Sequence, residues 1–192
     1  MKKYNKTEII KTGIEVFRQN GYEGTGISDI LEACDIPKGS FYNYFKTKSD
    51  YVEQVIDHYG DQQLEFMTRY LKDPDLSPLN RLKKLYQKWI NINQQEKIKS
   101  GCLVNNISNE MGGLNNNLAD AADRNYNKWL NLIARIIAKG QSIEEIRNDI
   151  GALELADYLH GSFFGMLSRM KSTRSTASLD NWYKVAFSVI SE

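Results

Sequence analysis

Between Lys38 and Lys48 the chain carries three lysines and no acidic residue. Lys38, Ser40, Tyr42, Asn43 and Lys46 offer ammonium, hydroxyl and amide donors, the groups that duplex DNA accepts. Lysine and tyrosine suit phosphate oxygens, while asparagine or lysine reaches base edges. Phe41 and Phe45, four residues apart, can anchor the opposite face of a helix. The competing use of such a segment is an amphipathic helix with a solvated polar face. A second candidate is Cys102. Ser100 is placed to cap a helix carrying Cys102 in its first turn, with Lys97 and Lys99 just upstream. The helix dipole and the ammonium groups would then favour thiolate, the reactive form. The competing use is a small buried residue at a helix start.

Enzyme chemistry finds less support. His58 and His160 are isolated, and neither pairs with a cysteine at metal-like spacing. Cys102, His160 and Asp157 can be drawn as a nucleophilic triad, but nothing in the sequence brings them together. His160, on an aromatic-rich helix, is expected to be a satisfied core residue. There is no P-loop or GxGxxG phosphate cradle. Neither a metal, a cofactor nor catalysis is expected. With only Cys34 and Cys102 present, no disulfide framework exists, and a reducing cytoplasm is the simplest compartment. Cys34 falls on an apolar stripe and is expected to be structural.

The formal net charge of +1 gives no general attraction to nucleic acid, so the distribution matters more. Residues 1–48 hold 8 Lys+Arg against 6 Asp+Glu, and the remainder 17 against 18. The positive charge is local to the N-terminal part. A hydrophobic content of 41% with 26% charge argues against disorder. Met1–Lys6 is basic like the start of a signal peptide, but Glu8, Lys11 and Glu15 interrupt any apolar region after it. Apolar runs elsewhere are too short for a bilayer span, so no membrane partner is expected.

The elements that must position these residues all repeat at the helical period. Ile9, Ile10, Gly13, Ile14 and Phe17 share one face of a first helix, which Asn20-Gly21 ends. Thr25-Gly26 lies where a cap is needed, and Ile27, Ile30, Leu31 and Cys34 form a second short stripe. Asp35-Ile36-Pro37 breaks it, and Pro37 can open a third helix bearing Phe41, Tyr44 and Phe45. A long helix is predicted from Ser49-Asp50 to Tyr70, and another from Leu79 to Gln95. Ser100-Gly101 opens a short helix to Met111, and Asn115–Lys139 forms a long one stopped by Gly140. Helices over Asp149–Met170 and Leu179–Ile190 complete the chain, with Lys171–Ser178 as a loop between them. The fold class is all-α, with about nine helices and no strand.

Two short helices joined by a tight turn can place the second in the major groove. The runs Gly21-Tyr22-Glu23-Gly24-Thr25, Ile27-Ser28-Asp29-Ile30 and Ile36-Pro37-Lys38-Gly39-Ser40-Phe41-Tyr42-Asn43-Tyr44-Phe45-Lys46-Thr47-Lys48 closely resemble the N-terminal domain of TetR-family regulators, over about Lys6 to Val55. The resemblance implies a DNA-binding regulator, preferably a repressor. Its helix-turn-helix domain would cover 1–48, with a larger helical effector-sensing and dimerisation domain over 49–192. By position, Lys38, Gly39, Ser40, Tyr42, Asn43 and Tyr44 belong to the recognition surface. Lys48 is expected to contact phosphate. Lys2 and Lys3 either add nonspecific contacts or form a solvated terminus. Ser28-Asp29 departs from relatives that carry a basic residue there, which places most of the binding on the third helix and Lys48.

One helix-turn-helix buries too little surface for specificity, so dimers on a palindromic operator are expected, with half-sites about 34–36 Å apart. The resemblance implies pairing through the last two helices. Leu153, Leu155, Ala156, Leu159, Phe163, Phe164 and Leu167 make the first of these apolar over more than one face, and Trp182, Val185, Ala186 and Val189 supply the second. Sequence alone does not divide interface from core. Tyr86, Trp89, Tyr126, Trp129, Met166 and Met170 are candidates for an effector lining, or plain core. Ser100-Gly101-Cys102-Leu103-Val104, with Glu110, resembles the family branch responding to electrophiles and oxidants, which implies modification of Cys102. Two other readings remain: a helical interaction protein without specific DNA binding, and a cysteine-dependent enzyme.

Overall fold

The computed structural model describes residues 4–95 and 101–191, and these form nine helices. They are α1 (Lys6–Asn20), α2 (Ile27–Ala33), α3 (Lys38–Tyr42), α4 (Lys48–Leu71), α5 (Pro78–Gln95), α6 (Leu103–Met111), α7 (Asn116–Ser142), α8 (Ala152–Thr173) and α9 (Ala177–Ile190). Among the described residues no strand forms, and the one isolated bridge joins Ile146 to Ser191. Packing divides the chain into two compact units. One takes Met1–Gln62 with Cys102–Asn125, the other Gln63–Gly101 with Tyr126–Glu192. The expected boundary after Lys48 therefore falls at a helix start, and the packing does not break there.

The first unit is built on local signals followed by aromatic burial. The Asn5 side chain caps α1 by accepting from the Thr7 amide at 2.9 Å. Gly21, at φ 73°, turns the chain out of α1 in a conformation that a Cβ would strain. The Asp29 carboxylate accepts from the Gly26 amide at 2.6 Å and so holds the start of α2. Asp35 takes φ 49°, a left-handed turn that aspartate tolerates, and Pro37 then leads into α3. α4 opens with two bonds at Asp50. The Asp50 amide donates to Thr47 Oγ1 at 3.0 Å, and the Lys46 amide donates to Asp50 Oδ2 at 2.7 Å.

Phe17, Phe41, Phe45 and Tyr51 are fully buried together. Phe45 and Phe41 lie 4.7 and 5.3 Å from the Tyr51 ring, centre to centre, in edge-on contacts. Each such ring contributes on the order of 2 kcal/mol by burial. The Tyr51 hydroxyl donates to the Ile9 carbonyl at 2.6 Å. A Cβ on Gly13 would come within 2.3 Å of that hydroxyl, so the place the Tyr51 side chain takes against α1 depends on residue 13 having no side chain.

The second unit centres on Tyr86 of α5, which is fully buried. Its ring lies 5.2 Å from Trp182, 5.3 Å from Phe163 and 5.9 Å from Phe187. The Trp182 indole donates to Ser162 Oγ at 2.8 Å, fixing α9 on α8. The Glu145 carboxylate accepts from the Leu79 amide at 2.9 Å and so caps α5.

Three expected boundaries are corrected. α3 ends at Tyr42, so Asn43, Tyr44 and Phe45 lie in the turn that follows it. α7 runs past Gly140 to Ser142, where the Ile146 side chain fills the space a Cβ on Gly140 would occupy. That glycine serves close packing and not helix termination. α8 continues to Thr173 and stops at Arg174, whose φ of 53° breaks the helix. The expected Lys171–Ser178 loop shrinks to the three residues 174–176.

Candidate nucleic-acid interface and effector site

The short α3 and its turn present the donors expected of a reading surface. Lys38, Gly39, Tyr42, Asn43 and Lys46 are exposed, Tyr42 by 46%, and Ser40 is half-buried. Phe41 and Phe45 are fully buried on the opposite face. A Cβ on Gly39 would meet nothing within 4 Å, and its φ is not left-handed. Glycine inside a helix costs about 1 kcal/mol relative to alanine. Nothing inside the chain requires that cost at residue 39.

Two of the expected contacts are already engaged within the protein. The Tyr44 hydroxyl donates to the Tyr4 carbonyl at 2.6 Å, tying down the chain before α1. Lys48 donates from Nζ to the Tyr22 carbonyl at 2.5 Å, with the ammonium 3.9 Å from the Tyr22 ring centre. Burial lowers the Lys48 pKa, against the opposing charges of Glu23, Glu110 and Asp29. Asp29 serves as the cap of α2.

Glu110 was not foreseen as a contact to this region. From α6 its carboxylate accepts from the amides of Tyr22 at 2.8 Å and Glu23 at 3.3 Å. The α1–α2 turn is thus held by Glu110 on one side and Lys48 on the other. No local pattern announces this, because the partners lie 88 residues apart in sequence.

Cys102 is not in the first turn of α6 but is its N-cap, and it is buried. Burial pushes the thiol pKa up. The Val104 and Asn105 amides, the Tyr59 hydroxyl and the charge of Arg18 act in the opposite sense without prevailing. The expected easily formed thiolate is therefore corrected: the low dielectric outweighs the helix terminus. Ser100, Lys97 and Lys99, like Lys2 and Lys3, lie outside the described residues. Cys34 is half-buried beside the Ile9 carbonyl, and burial raises its pKa as well.

The other effector candidates gather in the second unit, whereas Cys102 belongs to the first. Tyr86 and Trp129 are buried, Trp89, Tyr126 and Met166 are half-buried, and Met170 is buried. Tyr86, Trp89 and Trp129 converge on His160, the residue expected to be a satisfied part of the core. His160 Nδ1 lies 3.1 Å from the Tyr86 hydroxyl, while its buried Nε2 has no hydrogen-bond partner. Burial pushes its pKa down to about 3. Tyr126 reaches the same cluster through Trp129 at 5.6 Å and Phe164 at 5.5 Å. Asp157 is exposed, and His160 Nδ1 faces a tyrosine in place of the carboxylate a triad needs.

Residues 9–55 match the family described as bacterial regulatory proteins, tetR family, and residues 78–185 match the tetracyclin repressor-like C-terminal domain. The chain belongs to the TetR family. It is 30% identical to the HTH-type transcriptional repressor DhaR of Mycobacterium sp. (strain GP1), over 96% of this chain and 91% of that protein. A crystal structure of regulatory protein TetR from Rhodobacter sphaeroides superposes with a TM-score of 0.89 at 26% identity, covering 96% of this chain and 97% of that one. The reduced form of Escherichia coli NemR superposes with a TM-score of 0.90 at 24% identity, covering 97% and 96%. This TetR-family chain is a DNA-binding transcriptional regulator, and α2, the turn and α3 are its helix-turn-helix. Among the described residues no helix is long and apolar enough to cross a membrane, and no group of three metal-ligating side chains assembles.

Proposed function

We propose that this regulator is a homodimeric repressor that reads a palindromic operator through Lys38, Gly39, Ser40, Tyr42 and Asn43. The observation that carries this reading is the exposed, acid-free face of α3 and its turn, with an unneeded glycine at its centre. Lys38 and Tyr42 suit phosphates, and Asn43 suits a base edge. Tyr44 and Lys48 then act chiefly by fixing the surface, since their polar ends are engaged with Tyr4 and Tyr22. Repression is proposed on the similarity to DhaR. The cytoplasm is the compartment proposed, on membership of a family of bacterial regulatory proteins.

The same reading assigns dimerisation to α8 and α9. Leu155, Ala156, Leu159, Phe163, Leu167, Trp182 and Ala186 are buried within the chain. Leu153, Tyr158, Val185 and Val189 remain exposed by 52, 45, 60 and 36%. Gly161 and Gly165 lie with them on the open side of α8, where a Cβ would meet nothing within 4 Å. That supports a partner helix approaching closely.

Release is assigned to a small effector at Tyr86, Trp89, Tyr126, Trp129 and Met166, or to modification of Cys102. The protein acts by binding and not by turnover. Its buried, neutral His160 is a poor general base at neutral pH. The test is a labelled fragment of the DNA upstream of the protein's own gene, titrated with dimeric protein and then with N-ethylmaleimide. A specific complex that N-ethylmaleimide dissociates in the native protein but not in Cys102→Ser supports the sensor. Equal release in both removes it, and absence of a specific complex removes the repressor reading.

A further inference from the structure

His160 is the buried titratable group that DNA binding and dimerisation leave unused. It is 3% exposed, and its imidazole is enclosed by Phe164 at 4.4 Å, Trp89 at 5.6 Å and Trp129 at 5.9 Å between ring centres. Nδ1 lies 3.1 Å from the Tyr86 hydroxyl, and with the phenol, the more acidic of the two groups, taken as the donor, Nδ1 is the acceptor. The partner of one ring nitrogen decides where the proton sits on the other, which leaves the N–H on Nε2. That N–H has no acceptor, although buried donors are almost always satisfied. A leucine or phenylalanine would fill the same space without stranding a polar group. Trp89 and Phe164 are half-buried, so the cluster reaches the surface of its unit.

We infer that Nε2 of His160 is the hydrogen-bond donor of an aromatic ligand site, whose ligand is a small, flat, uncharged molecule bearing one carbonyl-type acceptor. This rests on reading the aromatic cluster as the effector site, and it adds the chemistry of the effector. The indole and phenyl faces take a flat apolar body by stacking. The imidazole and phenol are both neutral at neutral pH, so the cluster offers no charge to offset that of an ionic ligand. The single donor then sets the orientation and selects a carbonyl over its hydrocarbon counterpart.

Acetophenone and α-methylstyrene test this directly, because they share a shape and differ only in C=O against C=CH2. Acetophenone does not alkylate thiols, so it leaves Cys102 out of the measurement. Calorimetric titration of the full-length protein is expected to show acetophenone binding about tenfold or more tightly than α-methylstyrene. Benzoate, whose charge finds no counter-ion in the cluster, is expected to bind weaker still. His160→Phe should bind the two neutral probes alike, whereas His160→Gln, which can restore a donor, should keep part of the preference. Equal binding of the two probes by the native protein, or a preference surviving in His160→Phe, overturns the inference. So does failure of acetophenone to bind. Release of labelled DNA, followed in parallel, separates the two readings. Carbonyl preference without DNA release removes the effector assignment and leaves the His160 site standing. Equal release by both neutral probes keeps the effector assignment and removes His160 from it.

Discussion

Gly39 stands in a helix where the chain has no internal use for a glycine. Its Cβ would meet nothing, and its backbone is ordinary. Gly39→Ala is therefore expected to raise stability by up to about 1 kcal/mol. It should also weaken operator binding by about tenfold, because the added methyl intrudes where DNA approaches. Thermal melting and DNA titration of one sample check both signs together. His160 gives a second prediction at this scale. Its folded pKa, about 3, lies below the ordinary 6.5, so the unfolded chain takes up a proton that the folded chain refuses. Stability from this group is complete above pH 6.5 and is lost as pH falls toward 3, by up to about 1.4 kcal/mol per pH unit. Denaturant titrations across that window should show His160→Gln less sensitive to acid than the native protein by about one proton.

Helix existence was legible in the sequence wherever an apolar stripe ran at the helical period, as in α1 and α5. Boundaries were legible where one residue sets the geometry, as at Gly21 and Pro37. They were misread where a residue type serves another purpose. Gly140 makes room for Ile146 instead of ending α7. The polar end of α8 stays helical, with the Thr173 hydroxyl returned to the Arg169 carbonyl. The exposed donors of α3 and its turn could be picked out from their types and spacing, but not the engagement of Tyr44 and Lys48, which depends on distant carbonyls. For Cys102 the helix terminus was visible in the sequence, whereas its burial stood only as one of two readings, because burial depends on distant packing. Glu110 belongs to the same class of long-range contact. Glu110→Ala is expected to cost about 1 kcal/mol, its carboxylate being exposed and each bond modest. Hydrogen exchange should show faster exchange of the Tyr22 and Glu23 amides, with operator binding weakened in parallel. Unchanged protection there would detach α6 from the α1–α2 turn.

At the scale of the whole molecule, the proposed reading has a weakly charged chain gain specificity by presenting two copies of a small reading surface. The exposed valines of α9 and the open glycines of α8 are where the second copy is expected. Gly161→Arg and Val185→Glu should leave the helical content unchanged, sediment as protomers and lose the specific complex while keeping weak nonspecific binding. A dimer persisting in both variants would move the interface elsewhere. The central claim, that the α3 face holds DNA, is tested most directly by the salt dependence of binding to the upstream DNA, native protein against Lys38→Ala. A phosphate contact from Lys38 in each protomer predicts a specific native complex and a log–log slope less steep by about 1.8 in the variant. A specific complex with the same slope and affinity in both proteins, or no specific complex at all, would contradict it.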